Sequence, residues 1–122
     1  MIPFLLVGLG GAIGAMARFA VGRLVGSSAF PVATLLVNIA GGLLMGLLAG
    51  WLASRGGGEG WRQLLGVGVL GGFTTFSAFS LEMMLMLERG DFGMAALYAL
   101  LSVFLSIGAL AFGLWLARWG FA

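Results

Sequence analysis

Polar side chains that could meet a ligand stand at helical spacing inside long apolar stretches of this chain. Thr34 and Asn38 are one turn apart, and Tyr98, Ser102 and Ser106 recur every fourth residue. Thr74, Thr75, Ser77 and Ser80 crowd into "GGFTTFSAFSLE", residues 71–82, which ends on the carboxylate of Glu82. Arg18 interrupts the first apolar run. Histidine, cysteine and lysine are absent, so thiol chemistry, disulfides and zinc sites are excluded. No nucleophile–base pair or cluster of metal-ligating side chains is visible, which argues against an enzyme. The chemistry left to such residues is replacement of an ion's water by donors and dipoles.

Each group has a plain reading and a sharper one. Asn38 carries an amide that needs partners in hydrocarbon, either between helices or along a watery path. A single serine can bond its own helix, whereas three hydroxyls in register form a ladder of donors. Arg18 lies near enough to a helix end to snorkel. Alternatively it stands at a wet vestibule and draws anions inward. Phe73, Phe76 and Phe79 recur every third residue, flanked by Ser77 and Ser80. Phe73 reads as lipid-facing or core. The rings of Phe76 and Phe79 are positive at their edges. Ring edges and hydroxyl donors together can compensate a small anion for lost water, with no cation in the path to trap it.

The elements that position these residues are membrane spans. The chain of 122 residues is 61% hydrophobic and 8% charged, with mean hydropathy +1.16, more apolar surface than a soluble domain of this size can hide. Charge-free runs place four transmembrane helices at 2–24, 32–53, 62–88 and 93–117, a single domain covering 1–122 with short connections. The N-terminus lacks a basic n-region and is expected to be a retained helix. Glycine makes up 23 of the 122 residues against an ordinary share of ~7%, as expected of helices that associate through close backbone contact. Gly10, Gly14 and Gly22 share a stripe with Arg18, and Thr34, Asn38, Gly42 and Gly46 form another. The third span would reach ~40 Å if unbroken, against a ~30 Å hydrocarbon core. A break near 71–75, close to the midplane, would free carbonyls, which must then be met by protein, water or a small cation.

The six arginines are scattered, which argues against a nucleic-acid patch. Arg55, Arg62 and Arg118 fall at one membrane face, and Arg23 and Arg89 at the other. Counting Arg18 with the second face gives three against three. Such a balance provides almost no orientation signal. It is read either as weak bias with one fixed orientation or as insertion both ways, with antiparallel pairing of identical chains.

"GGFTTFSAFSLE" closely resembles the third-helix signature of the CrcB/Fluc fluoride channels, "LLVNIAGGLLMG" their second helix and "GGAIGAMARF" their first. The likeness covers nearly the whole chain. It implies an antiparallel, dual-topology homodimer in the bacterial inner membrane, with two fluoride pathways that passively export cytoplasmic fluoride and relieve its toxicity. It also implies a structural sodium ion at the dimer centre, held by the backbone carbonyls of Gly71 and Thr74 and not transported. Phe76 and Phe79 would be the ring-edge pair and Asn38 the pore amide, with Thr34, Ser77 and Ser80 also on the fluoride pathway. Tyr98, Ser102 and Ser106 match the polar lining of the fourth helix, and Arg18 and Glu82 match the family's arginine and glutamate. Ala78 departs from the pattern, since many relatives carry a hydroxyl there.

Two rivals remain. A small dual-topology multidrug exporter would need a buried carboxylate that exchanges its proton for substrate, and Glu82 is the one acid well inside a span. A membrane assembly subunit would explain the glycine stripes but not the hydroxyl ladder beside the phenylalanines.

Overall fold

The computed structural model describes residues 1–120, all of whose regular structure is helical. Four stretches are long and apolar enough to cross a membrane: Ile2–Val25, Val32–Ser54, Glu59–Glu88 and Phe92–Gly120. Helix α1 (Ile2–Val25) begins with a proline in its first turn, where the missing N–H leaves no bond unmade. It ends at Gly26, whose φ of 78° returns its N–H to Gly22 O at 2.9 Å. Helix α2 (Val32–Ser54) starts directly after Pro31.

The third span is composite. A short α3 (Glu59–Trp61) leads into a π-helical stretch (Arg62–Leu70) and then α4 (Gly71–Phe73). Thr74 and Thr75 are extended, with φ/ψ of −85°/158° and −152°/123°, before α5 (Phe76–Glu88) resumes. The span begins three residues before the expected start at 62, because Glu59 pairs with Arg62 one turn on and brings both charges into the helix start. Helix α6 (Phe92–Gly120) is nearly as long as the whole third span and is unbroken.

The helices associate as two parallel pairs. Along α2 and α6, a Cβ added at Gly42 would stand 2.7 Å from Ser106 O, one at Gly46 would collide with Leu110 O, and one at Gly113 with Leu43 O. The two backbones therefore touch, which only glycine permits. Helix α1 runs in the same way beside the π-helical stretch and α4. A Cβ at Gly14 would collide with Val69 O, and one at Gly72 would stand 2.6 Å from Gly11 O. The expected stripe on α1 is only partly a packing face, since no atom of the described residues lies within 4 Å of where a Gly22 Cβ would be. The reason is local: the partner helix ends at Phe73, and Arg18 takes the next step along the stripe.

A small core of Met86, Ala95 and Tyr98 is ringed by Phe30, Leu35, Phe79, Met83 and Met94. Elsewhere large apolar side chains point outward, Phe4, Phe76 and Phe104 among them, which is the surface a bilayer solvates. All four tryptophans gather at one end of the bundle. Trp51 meets Trp61 edge-on at 6.0 Å with Arg55 over the Trp51 ring, and Trp115 and Trp119 close α6.

Candidate functional site: a polar groove between helices

Ser102 and Ser106 lie on the α6 face that touches α2, and Gly42 is what lets α6 come that close. Both hydroxyls are buried, and neither has a hydrogen-bond partner among the described residues. A hydroxyl left so costs about 1–3 kcal/mol. Each could have turned back on its own helix and does not. They line a groove of about 380 Å³ together with Asn38, Thr75, Phe76 and Phe79. The two phenylalanine rings stand 5.5 Å apart at 41°. Phe76 is 77% exposed, so the groove is open along that flank.

Asn38 reaches into the extended step of the third span. Its Nδ2 donates to Thr75 O at 3.0 Å, and its Oδ1 accepts the Thr75 N–H at 2.8 Å. The Thr75 hydroxyl in turn accepts the Ala78 N–H at 3.2 Å, a helix N-cap for α5. In an unbroken helix the Thr75 N–H would go to Gly71 O and the Ala78 N–H to Thr74 O. Both donors are diverted to side chains, which leaves those two carbonyls free of their helical partners. A hard monovalent cation is held by neutral oxygens of this kind, so the donor set fits sodium. Among the described residues there is no group of three or more His, Cys, Asp or Glu side chains that would favour another metal. On the α1 side, Arg18 Nε donates to Gly72 O at 3.1 Å. Thus two neighbouring helices grip the third span at and just before the step.

Tyr98 and Thr34 do not join the groove. The Tyr98 hydroxyl donates to Glu82 Oε1 at 3.0 Å and the Thr34 hydroxyl to Glu82 Oε2 at 2.9 Å. Tyr98 is fully buried, with its ring 5.0 Å from Phe79 and 5.5 Å, edge-on, from Phe30. Phe79 is therefore the link between this cluster and the groove. Thr34 also borders a cavity of about 240 Å³ shared with Arg18, Arg23 and Thr75. Ser77 and Ser80 stand apart from both places. Ser80 donates to Phe76 O of its own helix at 3.0 Å, and Ser77 lies 3.3 Å from the Thr75 hydroxyl.

Spacing along the chain singles out Asn38 for its amide and Thr75 only as part of a loosened stretch. It does not reveal that the two form one unit. The available signal is a threonine directly before a helix start, the N-cap preference, which the neighbouring phenylalanines obscure.

An all-helical, multi-pass membrane protein with a polar groove between its helices is the class these features define. The chain belongs to the CrcB family: residues 5–114 match the family model described as "CrcB-like protein, Camphor Resistance (CrcB)". It is 57% identical, over the full length of both chains, to the "Fluoride-specific ion channel FluC" of Phenylobacterium zucineum (strain HLK1). A protein of the same description from Caulobacter sp. (strain K31) is 56% identical, covering 97% of this chain and 96% of that one. One from Novosphingobium aromaticivorans is likewise 56% identical, over 92% of this chain and 93% of that one.

Proposed function

We propose that this chain is a fluoride-selective channel, not an enzyme, which lets cytoplasmic fluoride leave a bacterial cell across its inner membrane down the electrochemical gradient. The observation that carries the reading is the pair of hydroxyls, Ser102 and Ser106, that have no partner among the described residues and line one groove with the Phe76 and Phe79 rings. A fluoride ion entering there exchanges water for hydroxyl donors and for the positive edges of the rings. None of the described residues lining the groove is cationic, so the ion is compensated without being trapped. Asn38 adds to this lining, because its Nδ2 carries a second N–H that Thr75 O does not use.

The working unit is an antiparallel, dual-topology homodimer. Two features support it: the balanced arginine tally, and the open flank of the groove at Phe76, which a second copy would close. A twofold axis in the membrane plane would bring the two interrupted third helices together, and Gly71 O and Thr74 O of each copy would then hold one sodium ion. Bound there, the ion supplies a fixed positive charge that fastens the two copies. The remaining work belongs to side chains: Arg18 and Asn38 hold the interrupted backbone, and Glu82 orders Thr34 and Tyr98.

Proteoliposomes containing the protein test this. On addition of a potassium ionophore they are expected to release fluoride rapidly and chloride slowly, as followed by ion-selective electrodes. Equal release of both halides overturns the assignment.

A further inference from the structure

We propose that Asn38 is a positioning residue for the cation site: it frees the Gly71 carbonyl by taking the Thr75 N–H into its own side chain. This rests on the reading of Gly71 and Thr74 as sodium ligands and adds what makes them available. Two acceptors compete for one donor. They are the Gly71 carbonyl, four residues back along the chain, and the carboxamide of Asn38 on α2. The Thr75 N–H uses the second, at 2.8 Å.

The same carboxamide returns a donor to Thr75 O at 3.0 Å, so amide and peptide pair through two bonds. That pairing is specific for an extended residue, because it engages the N–H and the C=O of one residue together, as across a β-ladder. Thr75, with φ/ψ of −152°/123°, has such a conformation. The glycines alone do not secure it: Gly71 and Gly72 are themselves helical, and the extended residues are both threonines. The interruption is thus imposed from α2 and not by weak helix propensity in the third span. Thr75 completes the arrangement by capping Ala78 N–H, which spares Thr74 O in the same way.

Asn38 also borders the anion groove, so one side chain joins the two sites. Its role at the cation site is separable from any contact with an anion. Asn38→Asp keeps an oxygen for the Thr75 N–H but loses the donor, and Asn38→Leu, of similar size, loses both.

The test uses the full chain in lipid, with two readouts on wild type and both variants. The first is solid-state NMR of the Thr75 Cα and Cβ shifts, and the second is the sodium concentration that half-maximally raises the melting temperature. Wild type and Asn38→Asp are expected to show extended shifts at Thr75 and similar sodium midpoints. Asn38→Leu is expected to show helical shifts and a midpoint raised about tenfold, the loss of one bond of ordinary net strength. Extended Thr75 shifts in Asn38→Leu overturn the proposal. If that variant does not fold, Asn38→Asp decides, because helical Thr75 shifts there overturn it equally. A wild type indifferent to sodium overturns the cation reading instead. The two failures are told apart because the Thr75 shifts are read without added sodium.

Discussion

Two polar clusters sit within one bundle and are joined at Phe79, yet they are built on opposite terms. Around Glu82 both carboxylate oxygens accept, one from Thr34 and one from Tyr98, beside a packed core. Around Ser102 and Ser106 the hydroxyls are buried and have no partner among the described residues. In a low-dielectric interior a satisfied cluster fixes geometry, and an unsatisfied one holds donors ready for something that passes. Residue type does not separate the two. Tyr98, Ser102 and Ser106 occupy one helical stripe, and the difference lies in what faces each of them.

That contrast can be broken at three points. Phe79 belongs to both clusters, so Phe79→Ile is expected to give the largest effect. Fluoride flux from proteoliposomes should fall about a hundredfold, equivalent to ~2.7 kcal/mol of barrier, while size-exclusion chromatography shows the assembly unchanged. Phe76→Ile should act in the same direction, and unchanged flux in both variants would remove the ring edges from the mechanism. Next in size is the double substitution Ser102→Ala with Ser106→Ala. It removes donors that bond to nothing else among the described residues, so flux should drop about tenfold while the melting temperature holds or rises, because two unsatisfied groups have gone. A melting temperature that falls by several degrees with flux intact would make those serines structural. The smallest effect is expected of Tyr98→Phe, which leaves Glu82 one donor short. It should cost about 1 kcal/mol of stability with flux nearly preserved. A flux loss matching that of the serine pair would merge the two clusters into one pathway.

Much of the architecture is legible in the order of residues alone. Charge-free runs mark the four membrane-capable stretches, and where the start of the third differs the charges explain it. Arg62 bounds the third run, yet it pairs with Glu59, and the two together begin the span. The motif of residues 71–82 and its companions on the first two helices carry the family. Less legible is the division of labour among the polar residues. Periodicity puts Thr34 with Asn38 and Tyr98 with the serines. The structure separates both pairs, because Glu82, on α5, claims Thr34 and Tyr98 together. Ser77 and Ser80 read as flanking the phenylalanine pair, but Ser80 is spent on Phe76 O of its own helix. Spacing along a helix shows which side chains share a face, and it cannot show which neighbour gets there first.

The sequence by itself determined that this chain belongs in a bilayer, carries four stretches long and apolar enough to cross it, and packs its helices through glycine. Those properties follow from solvation and from the absence of a Cβ, and both are written residue by residue. Only the tertiary structure decided that Asn38 would pair with the Thr75 peptide, that Arg18 would reach Gly72, and that two serines would be left without partners among the described residues. Each of those outcomes is a competition between acceptors or donors distant along the chain. The winner is set by how closely α1, α2 and α6 approach the third span and one another.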